Sequence, residues 1–154
     1  MKKLLLLAFV SLLFVSTEAF SQIRLGAKAG LISSERSYTE YQGGVALQVG
    51  LPLIGLKVQP ELLYSYSPNI GFLQVPVHVQ WGLDLIFLRP YLSVSPFANI
   101  LLHHNYVGGS PTKFGYGVGL GGGLDIWRLQ LQVQYNLSED KLLRGTQVSV
   151  AYFF

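Results

Sequence analysis

The chain has 154 residues, of which 50% are hydrophobic and only 12% are charged, and its formal net charge at pH 7 is +3. Charged residues usually make up about 25% of a soluble domain, so much of the apolar surface here must lie outside an ordinary soluble core. The absence of cysteine excludes a disulfide framework and a thiolate metal site, and the small net charge gives no argument for a nucleic-acid partner.

The first segment has the pattern of a secretory signal peptide over residues 1–21. Two lysines precede a mostly apolar run at 4–15, and Ala19 and Ser21 supply the small residues before a cleavage site. The run is too short for a membrane-spanning helix, which needs about 20 residues. We therefore expect a mature chain that consists of one domain over 22–154.

Apolar and polar residues alternate through most of this domain. Leu131 and Val133, for example, alternate with Gln132 and Gln134, and a period of two predicts a strand rather than a helix. The segments are longer than the ~5–6 residues of a typical globular strand, and none contains the ~18 consecutive apolar residues that indicate a transmembrane helix. We predict eight strands, near 22–32, 41–51, 55–66, 70–82, 86–102, 113–124, 127–138 and 145–154.

The connections between these segments alternate in length and composition. The short ones are LPLIG, LDLI and LDI, and the longer, polar ones include SSERSYTE, HHNYVGGSPT and SEDKLLRG. Tight turns at one end and longer polar loops at the other are typical of outer-membrane barrels, in which a closed sheet leaves no unpaired backbone edge. The predicted fold is therefore all-β, an eight-stranded antiparallel up-and-down transmembrane β-barrel with its tight turns in the periplasm.

Aromatic residues lie near the ends of the predicted strands. Amphipathic rings favour the two interfaces of a membrane, so we predict two aromatic girdles. The girdle at the tight-turn end contains Trp81, Trp127 and Phe154, and the girdle nearer the long loops contains Tyr64, Tyr116 and Tyr135.

The stretch FGYGVGLGGGLD contains G-x-G-x-x-G, the spacing of a dinucleotide-binding loop. Such a loop must open a helix, whereas these glycines alternate with Tyr116, Val118 and Leu120 at a period of two. We therefore predict a strand with inward-facing glycines and no cofactor. Inward-facing Tyr91 and Phe97 would fill the space that the glycines leave, and the triplet at 121–123 would form a bend or bulge.

Several motifs together are similar to a known family. The stretches VQPELLYSYS, FLQVPVHVQWGL, RPYLSVSPFANILL, FGYGVGLGGGLD and LQLQVQYNLS, followed by a strand that ends in Phe154, resemble the PorT-like outer-membrane β-barrel family of Gram-negative bacteria. The resemblance covers 22–154 and implies an integral barrel in the lipids of the cell outer membrane. Its terminal aromatic strand resembles the signal that the barrel-insertion machinery recognises. The family's namesake is linked to secretion and gliding, but the short loops here argue against that role.

The inward face carries the candidate interior polar cluster, which consists of Lys28, Lys57, Glu61, His78 and Arg89. Buried charges must be paired, so we predict that Glu61 contacts at least one of Lys28, Lys57 and Arg89 and that the cluster plugs the lumen. The alternative is an anion path or a binding cup. The further inward-facing residues expected are Arg24, Gln59, Gln80, Asp84 and Arg128. This reasoning favours a monomeric barrel with a structural or surface-interaction role rather than a wide pore.

Two other functions fit parts of the pattern. A lipid-modifying enzyme at the outer rim would need a nucleophile, a base and an acid from Ser110, His103 or His104, and Glu139. Neighbouring histidines on a strand point to opposite faces, and neither a nucleophile elbow nor zinc-ligand spacing is present, so we predict no catalytic or metal-binding residues. A secreted, lipocalin-like barrel would instead need its polar residues outside and its apolar residues inside.

Overall fold

The alternating pattern produces eight strands in the structure, a computed structural model that describes residues 23–34, 39–51, 55–68, 70–104, 114–139 and 144–154. The expected signal peptide at 1–21 lies outside these residues. The strands are β1 Ile23–Ser34, β2 Thr39–Gly50, β3 Leu56–Tyr66, β4 Ile70–Gly82, β5 Leu88–His104, β6 Phe114–Ile126, β7 Leu129–Ser138 and β8 Gly145–Phe153. Each predicted segment corresponds to one of them, with ends that differ by about two residues.

The strands form one closed antiparallel sheet in chain order. Each strand pairs with its neighbours in sequence, and β1 pairs with β8, with Ala29 opposite Val150 at the seam. Closure leaves no strand edge, so the predicted fold class is confirmed. We call the end with the β2–β3, β4–β5 and β6–β7 connections the turn end and the opposite end the loop end. Among the described residues, no helix is long and apolar enough to cross a membrane.

The two faces of the sheet differ in polarity throughout the barrel. On β7, Val133 is 55% exposed on the outside, whereas Gln134 is 3% exposed on the inside. Glutamine, serine and asparagine dominate the buried polar residues, while the exposed large hydrophobic residues occur on all eight strands. A lipocalin-like barrel has the opposite arrangement, so the structure argues against that alternative.

The glycines of β6 accommodate two aromatic rings from β5, as the sequence predicts. Tyr91 lies opposite Gly123 and Phe97 lies opposite Gly117, and both rings are buried. A Cβ atom on Gly123 would lie 2.7 Å from Tyr91 Oη, and one on Gly117 would lie 2.6 Å from Phe97 Cζ. The predicted bend or bulge at 121–123 is wrong, because β6 pairs with both neighbours without a shift through this triplet.

Three prolines interrupt the backbone pairing on one side of the barrel. Proline has no N–H to donate. Pairing skips two positions at Pro60 between β2 and β3, at Pro76 between β3 and β4, and at Pro96 between β4 and β5. Gln48 and Gln59 face each other at the first of these gaps, and Gln48 Nε2 donates to Gln59 Oε1 at 3.1 Å. Interior side chains thus link the strands where the backbone ladder does not.

Candidate functional site

A buried ion pair lies at the centre of the barrel. Lys28 on β1 places Nζ 2.8 Å from Glu61 Oε1 and 2.9 Å from Glu61 Oε2, and both side chains are almost inaccessible, at 1% and 0% exposure. Lys28 Nζ also donates to Gln132 Oε1 at 2.6 Å, and Gln59 Nε2 donates to Glu61 Oε1 at 2.6 Å. Each charge therefore has several partners, which offsets the cost of removing it from water.

His78 completes this central cluster. Its Nε2 lies 3.2 Å from Glu61 Oε2, and its Nδ1 lies 3.2 Å from Gln132 Nε2. Because Gln132 Oε1 already accepts from Lys28, the amide of Gln132 is oriented with its N–H groups toward His78. Nδ1 is then the acceptor, and the contact of Nε2 with Glu61 is a close approach rather than an aligned hydrogen bond. His78, Glu61, Lys28 and Gln132 form one connected unit drawn from four strands.

Lys57 and Arg89 do not join Glu61, although both are in the predicted polar cluster. They pair instead with Asp125, whose Oδ2 lies 3.2 Å from Lys57 Nζ and 3.2 Å from Arg89 Nη1. Sequence reasoning missed Asp125, because the stretch LDI was assigned to a tight turn. The sequence does contain the information, because residues two apart on a strand face the same side and Asp125 is two residues from inward-facing Gly123.

Glutamines connect the two charged clusters. Gln130 Nε2 donates to Asp125 Oδ1 at 2.8 Å, and Gln59 Nε2 donates to Gln130 Oε1 at 2.8 Å. Gln80 adds a further donor to Gln59 Oε1 at 3.0 Å. Since Gln59 also donates to Glu61, one network runs from the turn end to the centre of the barrel.

The same network continues toward the loop end. Gln132 Nε2 lies 3.4 Å from Gln134 Oε1, and Gln134 Nε2 donates to Asn136 Oδ1 at 2.6 Å. Asn136 contacts Gln147, whose Nε2 donates to Gln42 Oε1 at 2.6 Å, and Gln42 in turn donates to Ser65 Oγ at 3.2 Å. Polar side chains are therefore hydrogen-bonded to one another at several heights of the lumen.

The remaining predicted inward-facing residues lie at the turn end, and one of these predictions is wrong. Arg128 is exposed in the β6–β7 turn and stacks on Trp127, with 5.1 Å from Cζ to the ring centroid. Side chains alternate between the inner and outer faces only within a strand, so this alternation does not predict the direction of a side chain in a turn. Arg24 is exposed and donates to the Trp127 carbonyl oxygen at 3.2 Å. Asp84, 69% exposed in the β4–β5 turn, lies 3.3 Å from Arg89 Nε.

The six predicted girdle residues all lie on the outer face or at its rim. They are Trp81, Trp127, Tyr64, Tyr116, Tyr135 and Phe154. Tyr152 packs edge to face against Phe154, with ring centroids 5.7 Å apart. The structure thus orients the rings other than Trp127 away from the lumen, as a membrane girdle requires, and places Trp127 in the β6–β7 turn.

The residues of the enzyme alternative are largely beyond what the structure describes. His103 and His104 are the last residues of β5, Ser110 lies outside the described residues, and Glu139 is exposed just after β7. Within the described ranges, no three His, Cys, Asp or Glu residues form a group that could hold a metal ion.

A cavity of about 600 Å³ opens at the turn end. Its charged lining consists of Arg24, Lys57, Asp84, Arg89 and Asp125. Its apolar lining comes mainly from residues 85–88 and from 126–127, in two turns that follow β4 and β6. We call this cavity the vestibule.

Comparison with known proteins shows similarity of fold. No protein-family model matches the chain, and no curated protein matches its sequence. Similar solved structures include the N-terminal β-barrel domain of Pseudomonas aeruginosa OprF, with 11% identity, a TM-score of 0.61, and coverage of 86% of this chain and 96% of that chain. Neisserial surface protein A (NspA) has 14% identity, a TM-score of 0.58 and coverage of 86% and 96%.

The outer membrane enzyme PagL is also similar, with 12% identity, a TM-score of 0.57, and coverage of 84% of this chain and 98% of that chain. At identities this low, a shared fold does not carry an activity from one protein to another. What these likenesses show is that the chain has the fold of small outer-membrane β-barrels.

Proposed function

We propose that this protein is a small integral barrel of the bacterial outer membrane, of the PorT-like type, with a lumen closed by its own side chains. Secretion by the signal peptide at 1–21 and assembly by the barrel-insertion machinery, through the strand that ends in Phe154, belong to this proposal. The protein acts as a monomer with a structural or surface-interaction role, and it is neither a wide pore nor an enzyme.

The apolar outer face supports the membrane location. Exposed Leu, Val and Ile residues cover the outside of all eight strands, over an area that soluble monomers rarely expose. Outer-membrane lipid is the partner that such a surface requires, because hydrocarbon can cover it without polar groups. The exposed Trp and Tyr rings near the strand ends fit the interfacial depth.

The observation that carries the closed lumen is the hydrogen bonding between strands that are not neighbours. Lys28 on β1 binds Glu61 on β3, and His78 on β4 contacts Gln132 on β7, three strands away. The interior of an eight-stranded barrel is narrow enough for its own side chains to fill. A path for hydrated ions would require these contacts to break, so the protein should conduct poorly.

Membrane fractionation tests the location. The mature protein should appear only in the outer-membrane fraction, resist extraction by salt, and dissolve in detergent. A folded barrel should also migrate differently on a gel before and after boiling. Recovery of the protein in the soluble periplasmic fraction would contradict the proposal. Measurement of ion conductance across a planar lipid bilayer tests the closed lumen separately.

A further inference from the structure

We propose that the vestibule at the turn end is a binding site for an anionic amphiphile, that is, an acyl chain that ends in a phosphate or carboxylate group. The cavity of about 600 Å³ lies within the range of ~300–1,000 Å³ that is usual for small-molecule sites. The side chain of Gln130, which donates to Asp125 and accepts from Gln59, separates the vestibule from the rest of the lumen. The vestibule is therefore a blind cup and not the entrance to a channel.

The charges of the vestibule favour an anion. Of the charged residues that line it, Arg24, Lys57 and Arg89 are basic, and Asp84 and Asp125 are acidic. Asp125 is occupied by Lys57, Arg89 and Gln130. Positive charge therefore exceeds negative charge on the described wall of the cup.

Arg24 is the group best placed to bind such an anion. Its described hydrogen bond is the one from Nη1 to the Trp127 carbonyl oxygen at 3.2 Å, and its side chain is exposed to the cavity. A guanidinium has five N–H donors in a fork that matches two oxygens of a carboxylate or a phosphate. Most of the donors of Arg24 are thus available to a ligand, whereas Arg89 is held by Asp84, Asp125 and the Gly55 carbonyl oxygen.

The apolar walls of the vestibule favour an acyl chain. Ile86, Phe87 and Trp127 are almost fully exposed at the tips of two turns that flank the cavity. Trp127 also has a backbone φ of 57°, in the left-handed region where a bulky residue is an outlier and glycine is favoured. A backbone strain of this kind is typical of functional positions. We infer that the indole is retained there to contact the chain of the ligand.

Anion and chain together distinguish this ligand from simpler ones. Inorganic phosphate would contact Arg24 and leave the apolar walls in water, whereas a neutral detergent would contact the walls and leave the remaining donors of Arg24 unused. Only a molecule with both an anionic group and an acyl chain contacts Arg24 and the apolar walls of the vestibule together. Two sources supply one, namely the phospholipids of the surrounding bilayer and free amphiphiles such as fatty acids.

The test uses the full mature protein with Trp81→Phe, so that Trp127 is the fluorescent reporter, in nanodiscs of phosphatidylcholine. Octyl phosphate is titrated, with empty discs as the partition control and with octyl glucoside and inorganic phosphate as comparison probes. Octyl phosphate should give a saturable change in Trp127 fluorescence, and neither comparison probe should match its affinity. Arg24→Gln should weaken binding by about tenfold, the loss expected for one charged hydrogen-bonding group.

Arg144 provides the matched control, because it carries the same charge at the loop end, where it donates to the Ser138 carbonyl oxygen, and does not line the vestibule. Arg144→Gln should leave binding within about twofold, and Arg24→Lys should retain most of it. Heat-modifiable migration on a gel verifies that each variant is folded. Equal losses of affinity in Arg24→Gln and Arg144→Gln would show that only the overall charge of the protein matters, and would overturn the proposal. A non-saturable signal, or equally tight binding of inorganic phosphate, would overturn it as well.

A second set of discs identifies the source of the ligand. Part of the phosphatidylcholine is replaced by phosphatidylglycerol, and octyl phosphate is titrated into the protein that retains Arg24. A weaker apparent affinity for octyl phosphate would show that phosphatidylglycerol competes for the vestibule and that a bilayer lipid occupies it. Unchanged binding would show that the cup takes free amphiphiles. Both results support the site. This binding site and the closed lumen are tested separately, because a barrel that conducts poorly could still bind no amphiphile.

Discussion

Gln59 and Gln130 form a reciprocal pair of hydrogen bonds across the full width of the barrel. Gln59 Nε2 donates to Gln130 Oε1 at 2.8 Å, and Gln130 Nε2 donates to Gln59 Oε1 at 3.1 Å. These residues lie on β3 and β7, which are opposite each other in a ring of eight strands. A direct bond between opposite walls leaves no room between them, and it defines the floor below the central cluster of Lys28 and Glu61.

The central ion pair should be essential for stability. Glu61→Ala leaves Lys28 buried without its carboxylate, and loss of one partner from a buried pair costs about 3–5 kcal/mol. Replacing both together, with Lys28→Met and Glu61→Leu, should recover much of that loss, because no charge remains buried. Reversible urea unfolding in lipid vesicles measures both variants. A loss of under about 1 kcal/mol for Glu61→Ala would show that water or another base replaces the pair.

The outer face should show the depth dependence of a membrane surface. Val133 lies in the middle of β7 and Leu137 near its loop end, and both point outward. Val133→Arg should cost about 2–4 kcal/mol, whereas Leu137→Arg should cost about 0–1 kcal/mol near the interface. The same unfolding assay compares them. Equal costs at both positions would contradict the placement of β7 across a bilayer.

The inward glycines of β6 should not tolerate even a methyl group. An added Cβ on Gly117 would lie 2.5 Å from the Leu137 carbonyl oxygen and 2.6 Å from Phe97 Cζ, so Gly117→Ala should destabilise the barrel by about 1–3 kcal/mol through overpacking. Gly43 on β2 is the matched control, because the nearest atom to its added Cβ is the Lys28 carbonyl oxygen at 3.8 Å. Gly43→Ala should be close to neutral. If the two variants were equally stable, the close packing of Phe97 and β7 around Gly117 would be refuted.

Asp125 should contribute more than Asp84, although both contact Arg89. Asp125 is largely buried and binds Lys57 and Arg89, whereas Asp84 is 69% exposed. Asp125→Asn should therefore cost about 1–3 kcal/mol. Asp84→Asn should cost under about 1 kcal/mol, as for other exposed ion pairs. Thermal unfolding of the two variants in the same detergent ranks them, and the reverse order would contradict the burial of Asp125.

The sequence predicts the fold well because a barrel strand has a simple period. Alternation of apolar and polar residues identifies the face of each residue, and the lengths of the connections identify which end each turn occupies. Periodicity does not give the relative height of residues on different strands, which depends on strand tilt and stagger. For this reason the sequence indicates that Glu61 is inward but does not indicate that Lys28, rather than Lys57 or Arg89, lies at its height.

Residues at the ends of strands are the harder part of the prediction. Alternation along β7 predicts that Arg128 faces inward, but Arg128 lies in a two-residue turn and stacks on Trp127. The stretch LDI predicts that Asp125 belongs to the same turn, but the strand continues through Ile126 and directs the carboxylate inward. An error of about two residues in the predicted end of β6 therefore misplaces two charged residues: Asp125 is assigned to a turn although it faces inward, and Arg128 is assigned to the lumen although it is exposed. The vestibule lies at this boundary, which is why its geometry emerges only from the structure.

Conductance of the purified protein in planar lipid bilayers is the most direct test of the closed lumen. The unmodified barrel should show no steady ion current, because hydrogen bonds between strands that are not neighbours, such as Gln59 to Gln130 and Lys28 to Glu61, bridge its walls. A variant with Lys28, Gln59, Glu61 and Gln132 all changed to alanine removes the Lys28–Glu61, Gln59–Gln130 and His78–Gln132 bridges without a change in net charge, and it should conduct measurably if it folds. Absence of current from the unmodified protein and current from the variant is the predicted result. A large, steady current from the unmodified protein would contradict the plug and identify the barrel as a pore.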